Sequence, residues 1–178
     1  MNNPMKPAKL ALLAAAVLFV ASGALADPVS IPIPKEGWAI SFDAPPLLKK
    51  KDSHRDDGAY AFLANSGRFN VSFYVEPPSG NGRTNREVYD FYWPQASRNP
   101  MIAQPTVKVS DTSKYVKVTY DLVTKFQGQT VHQHNANYYF AFHDRWVDVH
   151  ISVIEPEASD AAIFDTFDRT LDYELTAK

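Results

Sequence analysis

Four of the five histidines of this 178-residue chain fall between positions 132 and 150, in the stretch VHQHNANYYFAFHDRWVDVHISV that runs from Val131 to Val153. Imidazole titrates near neutral pH and ligates transition metals, so such a cluster could hold a metal or move protons. His132 and His134 are two residues apart. On a strand they would share a face with their Cα atoms about 7 Å apart, a spacing that chelates Cu or Zn once a third ligand arrives. No third ligand lies nearby in sequence, and two polar residues at the point where a strand leaves the core is the plainer reading. Asp148 and His150 alternate with Val147, Val149 and Ile151, so they project together to the outer side of their strand. A two-residue hairpin would set Tyr139 opposite or diagonal to them. An Asp, a His and a Tyr in one place can do acid–base work or bind a ligand. Alternation alone also places polar residues on a solvated sheet face, and Asn135, Asn137 and Ser152 would simply continue that face. His143 falls in a turn, and His54 in a charged loop without a partner pattern.

Other chemistry is absent from the pattern. No serine sits in a G-x-S-x-G context, no carboxylate pair stands out, and there is no phosphate-binding loop or dinucleotide fingerprint. The chain has no cysteine, which removes disulfides, thiolate metal ligands and thiol nucleophiles together. No catalytic residue can be named, and the expectation is a protein that is not an enzyme and carries no cofactor, with Cu or Zn as the alternative. Two features suit contact rather than catalysis. Lys49-Lys50-Lys51 followed by Asp52, Arg55, Asp56 and Asp57 makes a mixed-charge loop, the kind of segment that often carries binding. Tyr89, Tyr92 and Trp93 could form an aromatic binding edge, or pack a helix onto a sheet.

The ends say where the chain goes. Lys6 and Lys9 precede an apolar run of eleven residues, Leu10 to Val20, and the segment closes A-L-A at Ala24 to Ala26. That is the plan of a secretory leader cleaved after Ala26. Eleven apolar residues fall short of the ~20 that span a bilayer. Residues 1–26 are therefore read as a signal peptide, 27–36 as a proline-rich extended arm and 37–178 as one domain. Without Lys6 and Lys9, 16 Lys and Arg face 20 Asp and Glu, a formal charge of −4. A mildly acidic chain has no general attraction for nucleic acid or anionic lipid. The leader and the cysteine-free body suit a Gram-negative periplasm, with no stable membrane insertion after cleavage.

The elements that position these residues follow from hydrophobic period. DPVSIPIP, from Asp27 to Pro34, is extended by its three prolines, as an arm or an edge. WAISFDA at Trp38 alternates and stops at Pro45-Pro46; residues 47–58 read as a loop; 59–64 and 69–75 read as a hairpin about Asn65, Ser66 and Gly67. Thr84 and Glu87 stand at capping-box spacing, with Val88, Phe91 and Tyr92 on one helical face, and Pro94 should end or kink that helix near Trp93. Period two returns from 114 to 126 and through 131–153, a three-strand meander with a one-sided core. Pro156 opens a last helix whose stripe is Ile163, Phe164, Phe167 and Leu171, and residues 172–175 finish as extended chain. The order is βββ-α-βββ-α, an α+β sandwich of about six antiparallel strands and two main helices.

Taken with GWAISFDAP (37–45), FNVSFYVEP (69–77), YYFAFHDRWVDVHISV (138–153) and the closing IFDTFDRTL (163–171), this order resembles the PsbP/DcrB-like family of small exported α/β sandwich proteins. The resemblance covers nearly all of the chain after the leader and lies in strand and helix patterns. It implies a non-enzymatic binding or accessory role, since the family includes lumenal stabilisers of photosystem II, bacterial periplasmic proteins and a relative that binds a small GTPase. It supplies no catalytic residue. Bacterial members are often lipoproteins, and this chain departs from them in lacking the lipobox cysteine. Three kinds of work follow as expectations: binding a protein or envelope component; carrying a metal or small ligand on His132 and His134, with His150 as a further candidate ligand; and inhibiting a secreted toxin as an immunity-type protein.

Overall fold

The computed structural model describes residues 26–79 and 82–176; the leader read from residues 1–26 lies outside them except for Ala26. Prolines dictate how the described chain begins. Asp27–Pro32 forms strand β1, and it pairs on one side only, with β2 (Trp38–Ala44), as suits residues that lack amide donors. The proline-rich arm is thus an edge strand of the fold, and Ile33 just beyond it is buried in the core. The other side of β2 takes β10 (Asp172–Leu175), completing a three-stranded antiparallel sheet.

The second sheet contains β3 (Lys49–His54), β4 (Tyr60–Ser66), β5 (Phe69–Glu76), β6 (Lys108–Asp111), β7 (Val116–Phe126), β8 (Gln129–Phe142) and β9 (Arg145–Ile154). Its order is β3-β4-β5-β9-β8-β7-β6, antiparallel throughout. The α+β class holds, but the described residues form ten strands in two sheets, not about six. The charged stretch expected to be a loop is β3. All six of its residues are exposed, so no apolar alternation marks it; backbone pairing with β4 holds it, helped by the Tyr60 hydroxyl donating to Asp52 Oδ2 at 3.4 Å. β6, with four exposed residues, is hidden from the sequence for the same reason.

Two tight turns then fix which residues share a face. Gln127 and Gly128 both have positive φ, 50° and 83°, as do His143 and Asp144, 47° and 56°, the backbone of a two-residue hairpin turn. Phe126 therefore pairs with Gln129, and Phe142 with Arg145. Even-numbered residues of β7 stand beside odd-numbered residues of β8, and even-numbered residues of β8 beside odd-numbered residues of β9. Tyr138 and Phe140 join Val149 and Val147, together with Phe73 and Val75 of β5, on a first face. That face packs under Trp38, Ile40 and Phe42 of β2 and under Phe164, Phe167 and Leu171 from helix α2 (Ala161–Thr170) and its end. Phe167 bridges the layers, with ring centres 4.9 Å from Phe42 and 5.3 Å from Tyr138.

Val118 and Tyr120 of β7 point the other way. With Tyr139 and Trp146 they form a second core under helix α1 (Asn85–Ala96), which contributes Val88 and Trp93. The expected one-sided core with a solvated outer face is therefore corrected: both faces of the large sheet are covered, the second in part. Thr84 and Glu87 do form the reciprocal capping box, and Tyr89, Tyr92 and Trp93 do pack the helix onto the sheet. Pro94 neither stops α1 nor blocks its last turn. The helix runs to Ala96, and the Ser97 amide still donates to the Trp93 carbonyl at 2.8 Å; Pro94 lacks the N–H that would reach the Asp90 carbonyl, yet the turn closes after it. Pro156 does not open α2 directly. A 3-10 turn (Ala158–Asp160) intervenes, held by the Asp160 carboxylate, which accepts the Glu157 amide at 2.8 Å.

Candidate functional site

The residues singled out at 139, 148 and 150 do come together, in a setting that alternation did not foresee. Asp148 pairs across the sheet with Tyr139 on one side and Tyr74 on the other; His150 pairs with Asn137 and Ser72. All point to the second face. Asn137 donates through Nδ2 to Asp148 Oδ1 at 2.7 Å and accepts the Tyr120 hydroxyl at 3.0 Å. His150 Nε2 lies 3.0 Å from Asn135 Oδ1, and Asn135 Nδ2 donates to the Gln133 carbonyl at 2.9 Å. That second bond orients the amide, so the imidazole proton sits on Nε2. Tyr92 of α1 donates its hydroxyl to Glu76 Oε2 at 2.5 Å.

The expected solvated face is thus wrong for most of these residues. Tyr139, Asn135, Asn137 and Ser152 are buried, and Asp148 and His150 are half-buried. The Tyr139 hydroxyl, sealed from solvent, has no hydrogen-bond partner among the described residues.

Burial sets the charge states. Loss of water raises the Asp148 carboxyl to about 7; nearby Glu76 pushes the same way, and the Asn137 bond opposes them. Loss of water lowers His150 to about 4, which leaves the ring neutral at physiological pH. Tyr120 is raised to about 12 by burial and then by the charge of Asp148, and Tyr92 and Tyr139 are raised further by the same causes, with Glu76 adding to Tyr92. A carboxyl near 7 has the proton affinity of a general acid or base. However, the hydrogen bond of His150 goes to Asn135 and not to Asp148, so the cluster reads as a hydrogen-bonding network, without a relay that would activate a nucleophile.

The metal candidates lie on the first face. His132 is exposed, and its backbone amide donates to Glu155 Oε1 at 2.9 Å. His134 is half-buried, with Nδ1 2.6 Å from Asp121 Oδ1 and its ring edge-on to Phe164 at 4.6 Å. No group of three His, Cys, Asp or Glu side chains converges among the described residues, so His132 and His134 have no third ligand there. His134 does line a groove of about 390 Å³ between β7 and α2, with Lys117, Thr119, Asp121 and Phe164. One wall of it is fixed by Lys117 Nζ at 2.5 Å from Asp168 Oδ2 and by the Tyr138 hydroxyl donating to Asp168 Oδ1 at 2.7 Å. His143 and His54 are exposed and stand apart from these sites.

A third region was not anticipated as a surface. Helix α1 packs on β7, β8 and β9, which leaves the second face open over β3, β4 and β5. There Leu63 and Tyr74 are each 44% exposed. A depression of about 250 Å³ surrounds Leu63, and another of about 190 Å³ lies at Ala61, Tyr74 and Glu76. The sequence reading already sets Asn135 and Asn137 on this face, while it misses Tyr120 and Glu76. The two-residue turn at 127–128 forces the parity that puts Tyr120 there, whereas Glu76 arrives through the long-range pairing of β5 with β9, which leaves no local signal.

No family model matches the chain, and no curated protein matches it. Among solved structures, it is similar to a crystal structure from Bacteroides thetaiotaomicron VPI-5482, at 11% sequence identity and a TM-score of 0.42, over 78% of this chain and 46% of that one. The chain therefore spans about half the length of that structure, and nothing further rests on the likeness.

Proposed function

We propose that this is an exported, non-enzymatic binding or accessory protein of the cell envelope, and that it works through the open part of the second sheet face. The observation that carries this reading is the incomplete cover of that face: Leu63 and Tyr74 stand exposed beside a half-buried Asp148 and His150 on strands that a helix could have covered but does not. Exposed apolar side chains grouped in a shallow concavity mark contact surfaces. The leader read in residues 1–26 supports export. No helix of the described residues is long and apolar enough to cross a membrane. The resemblance to PsbP/DcrB-like proteins supports an accessory role over catalysis.

The test places a photo-crosslinking residue at position 63 or 74 in the full-length chain expressed in its own host. A discrete adduct at both positions, absent when the probe sits at Phe126, is the expected outcome. Silence at 63 and 74 in folded, exported protein overturns the reading. Mass analysis of protein recovered from the envelope should give a chain beginning at Asp27, and one retaining the leader refutes cleavage after Ala26.

A second reading, carriage of a small ligand or metal, is favoured by the groove of about 390 Å³ that contains His134. It requires a rise in melting temperature on adding Cu or Zn that His134→Ala abolishes.

A further inference from the structure

The open strip has a charge as well as a shape. Lys49, Lys50 and Lys51 occupy consecutive positions of β3, all exposed, in a chain whose formal charge is negative. None of the three takes part in an ion pair among the described residues. The register sets Lys49 beside Asn65 and Lys51 beside Leu63, so these two rise from the open face, at the rim of the depression around Leu63. Arg55 borders the second depression, where its guanidinium is already paired with Asp57 at 2.9 Å.

Lysines on a free edge strand also guard against edge-to-edge pairing. Guarding alone does not call for an exposed Leu63 and Tyr74 behind them, and it leaves the two depressions without a role. The depressions lie along β4 around residues 63–65 and 59–61, roughly four residues apart. At strand rise that is about 13 Å, the distance between same-side residues i and i+4 of an extended chain.

We infer that this strip docks an extended acidic segment of a partner protein, whose same-side apolar side chains enter the two depressions while its carboxylates meet Lys49 and Lys51. The inference rests on the binding role proposed above and names the partner's chemistry. Charge complementarity of this kind chiefly sets which partner is accepted and how fast it arrives, and the apolar anchors hold it. An anionic membrane is the weaker fit. Asp56 and Asp57 follow β3, and Glu76 lines the second depression, so a flat lipid surface would meet both signs at once, whereas a peptide can place its carboxylates at the lysine end alone.

The experiment pans a random-peptide phage library on the full chain purified from the envelope fraction. Enriched peptides should combine Asp or Glu with Leu, Phe, Tyr or Trp at same-side positions, separated by even numbers of residues. Their synthetic versions should bind at least tenfold more weakly to the Lys49→Glu/Lys51→Glu and Leu63→Asp variants, and equally well to Phe126→Ser, a change at an exposed site on β7. Circular dichroism of each variant checks that it folds. Basic or neutral winners, no enrichment, or binding unaffected at 49, 51 and 63 overturns the inference. So does lysine-dependent pelleting with phosphatidylglycerol vesicles in place of peptide binding. If crosslinks form at 63 and 74 but acidic peptides fail, the partner chemistry is wrong and the binding role stands; if both fail, the role itself is lost.

Discussion

Asp148→Asn replaces a carboxyl held at about 7 by a neutral amide of nearly the same shape. The native carboxyl binds its proton more tightly than an unfolded Asp, whose ordinary value is 3.8. As pH rises from about 4 to about 7, the unfolded chain therefore ionises first, and wild type loses stability across that window. Each tenfold change in proton affinity is worth about 1.4 kcal/mol, which puts the ceiling at ~4 kcal/mol. Asp148 is half-buried and shares its charge with water, so about 1–3 kcal/mol is expected. The Asn137 Nδ2 donor finds the same oxygen in the variant, so the bond at 2.7 Å survives. His150 titrates in both proteins and drops out of the difference. Urea unfolding followed by tryptophan fluorescence should therefore show Asp148→Asn gaining on wild type as pH is raised from 4 to 8. The corresponding rise in melting temperature at pH 8 is about 3–10 °C. A gap that does not change with pH, or a variant that loses ground as pH rises, refutes the burial argument for this carboxyl.

His150 carries the opposite sign. Its native value of about 4 lies below the ordinary 6.5, so stability present above pH 6.5 is lost as pH falls toward 4, and His150→Gln should flatten that acid limb in the same urea titration. Phe167, fully buried between Phe42 and Tyr138, should cost about 3–5 kcal/mol on truncation to Ala, measured by chemical denaturation. Gly58 has φ +83°, and a Cβ there would lie 2.5 Å from Arg145 Nη2. Gly58→Ala should strain the turn and displace the guanidinium from its half-buried pairing with Glu36, at a cost of about 1–2 kcal/mol in a thermal melt.

Where a strand is amphipathic and a helix is capped, the sequence is enough. The hairpin about Gly67, the capping box of Thr84 and Glu87 and the buried stripe of Phe164, Phe167 and Leu171 are all in place. The extended segments at 27–34 and 172–175 are legible from their prolines and position, whereas β3 and β6 escape because all their side chains are exposed; period two records burial, and an exposed strand leaves no such record. Asp148 and His150 were legible as companions on one side of β9, yet their surroundings were not. The polar character of positions 135, 137, 148 and 150 reads equally well as a wet surface or as a satisfied network beside a helix.

The sequence by itself determined the alternation of each strand, the sites of the turns and the amphipathic faces of both helices, because these depend on neighbours within a few residues. The two-residue turn at 127–128 sets Tyr120 on the face of Tyr139 and not of Tyr138, a parity that the one-sided reading of the sequence missed. Only the tertiary structure decided which face each helix covers and how far the cover extends. That choice depends on the fit of α1 to β7, β8 and β9, and on the small sheet and α2 filling the opposite face. The helix comes from far along the chain, and its length and docking angle set where the cover ends, so Leu63, Tyr74 and the lysines of β3 were left open by packing that no local pattern encodes.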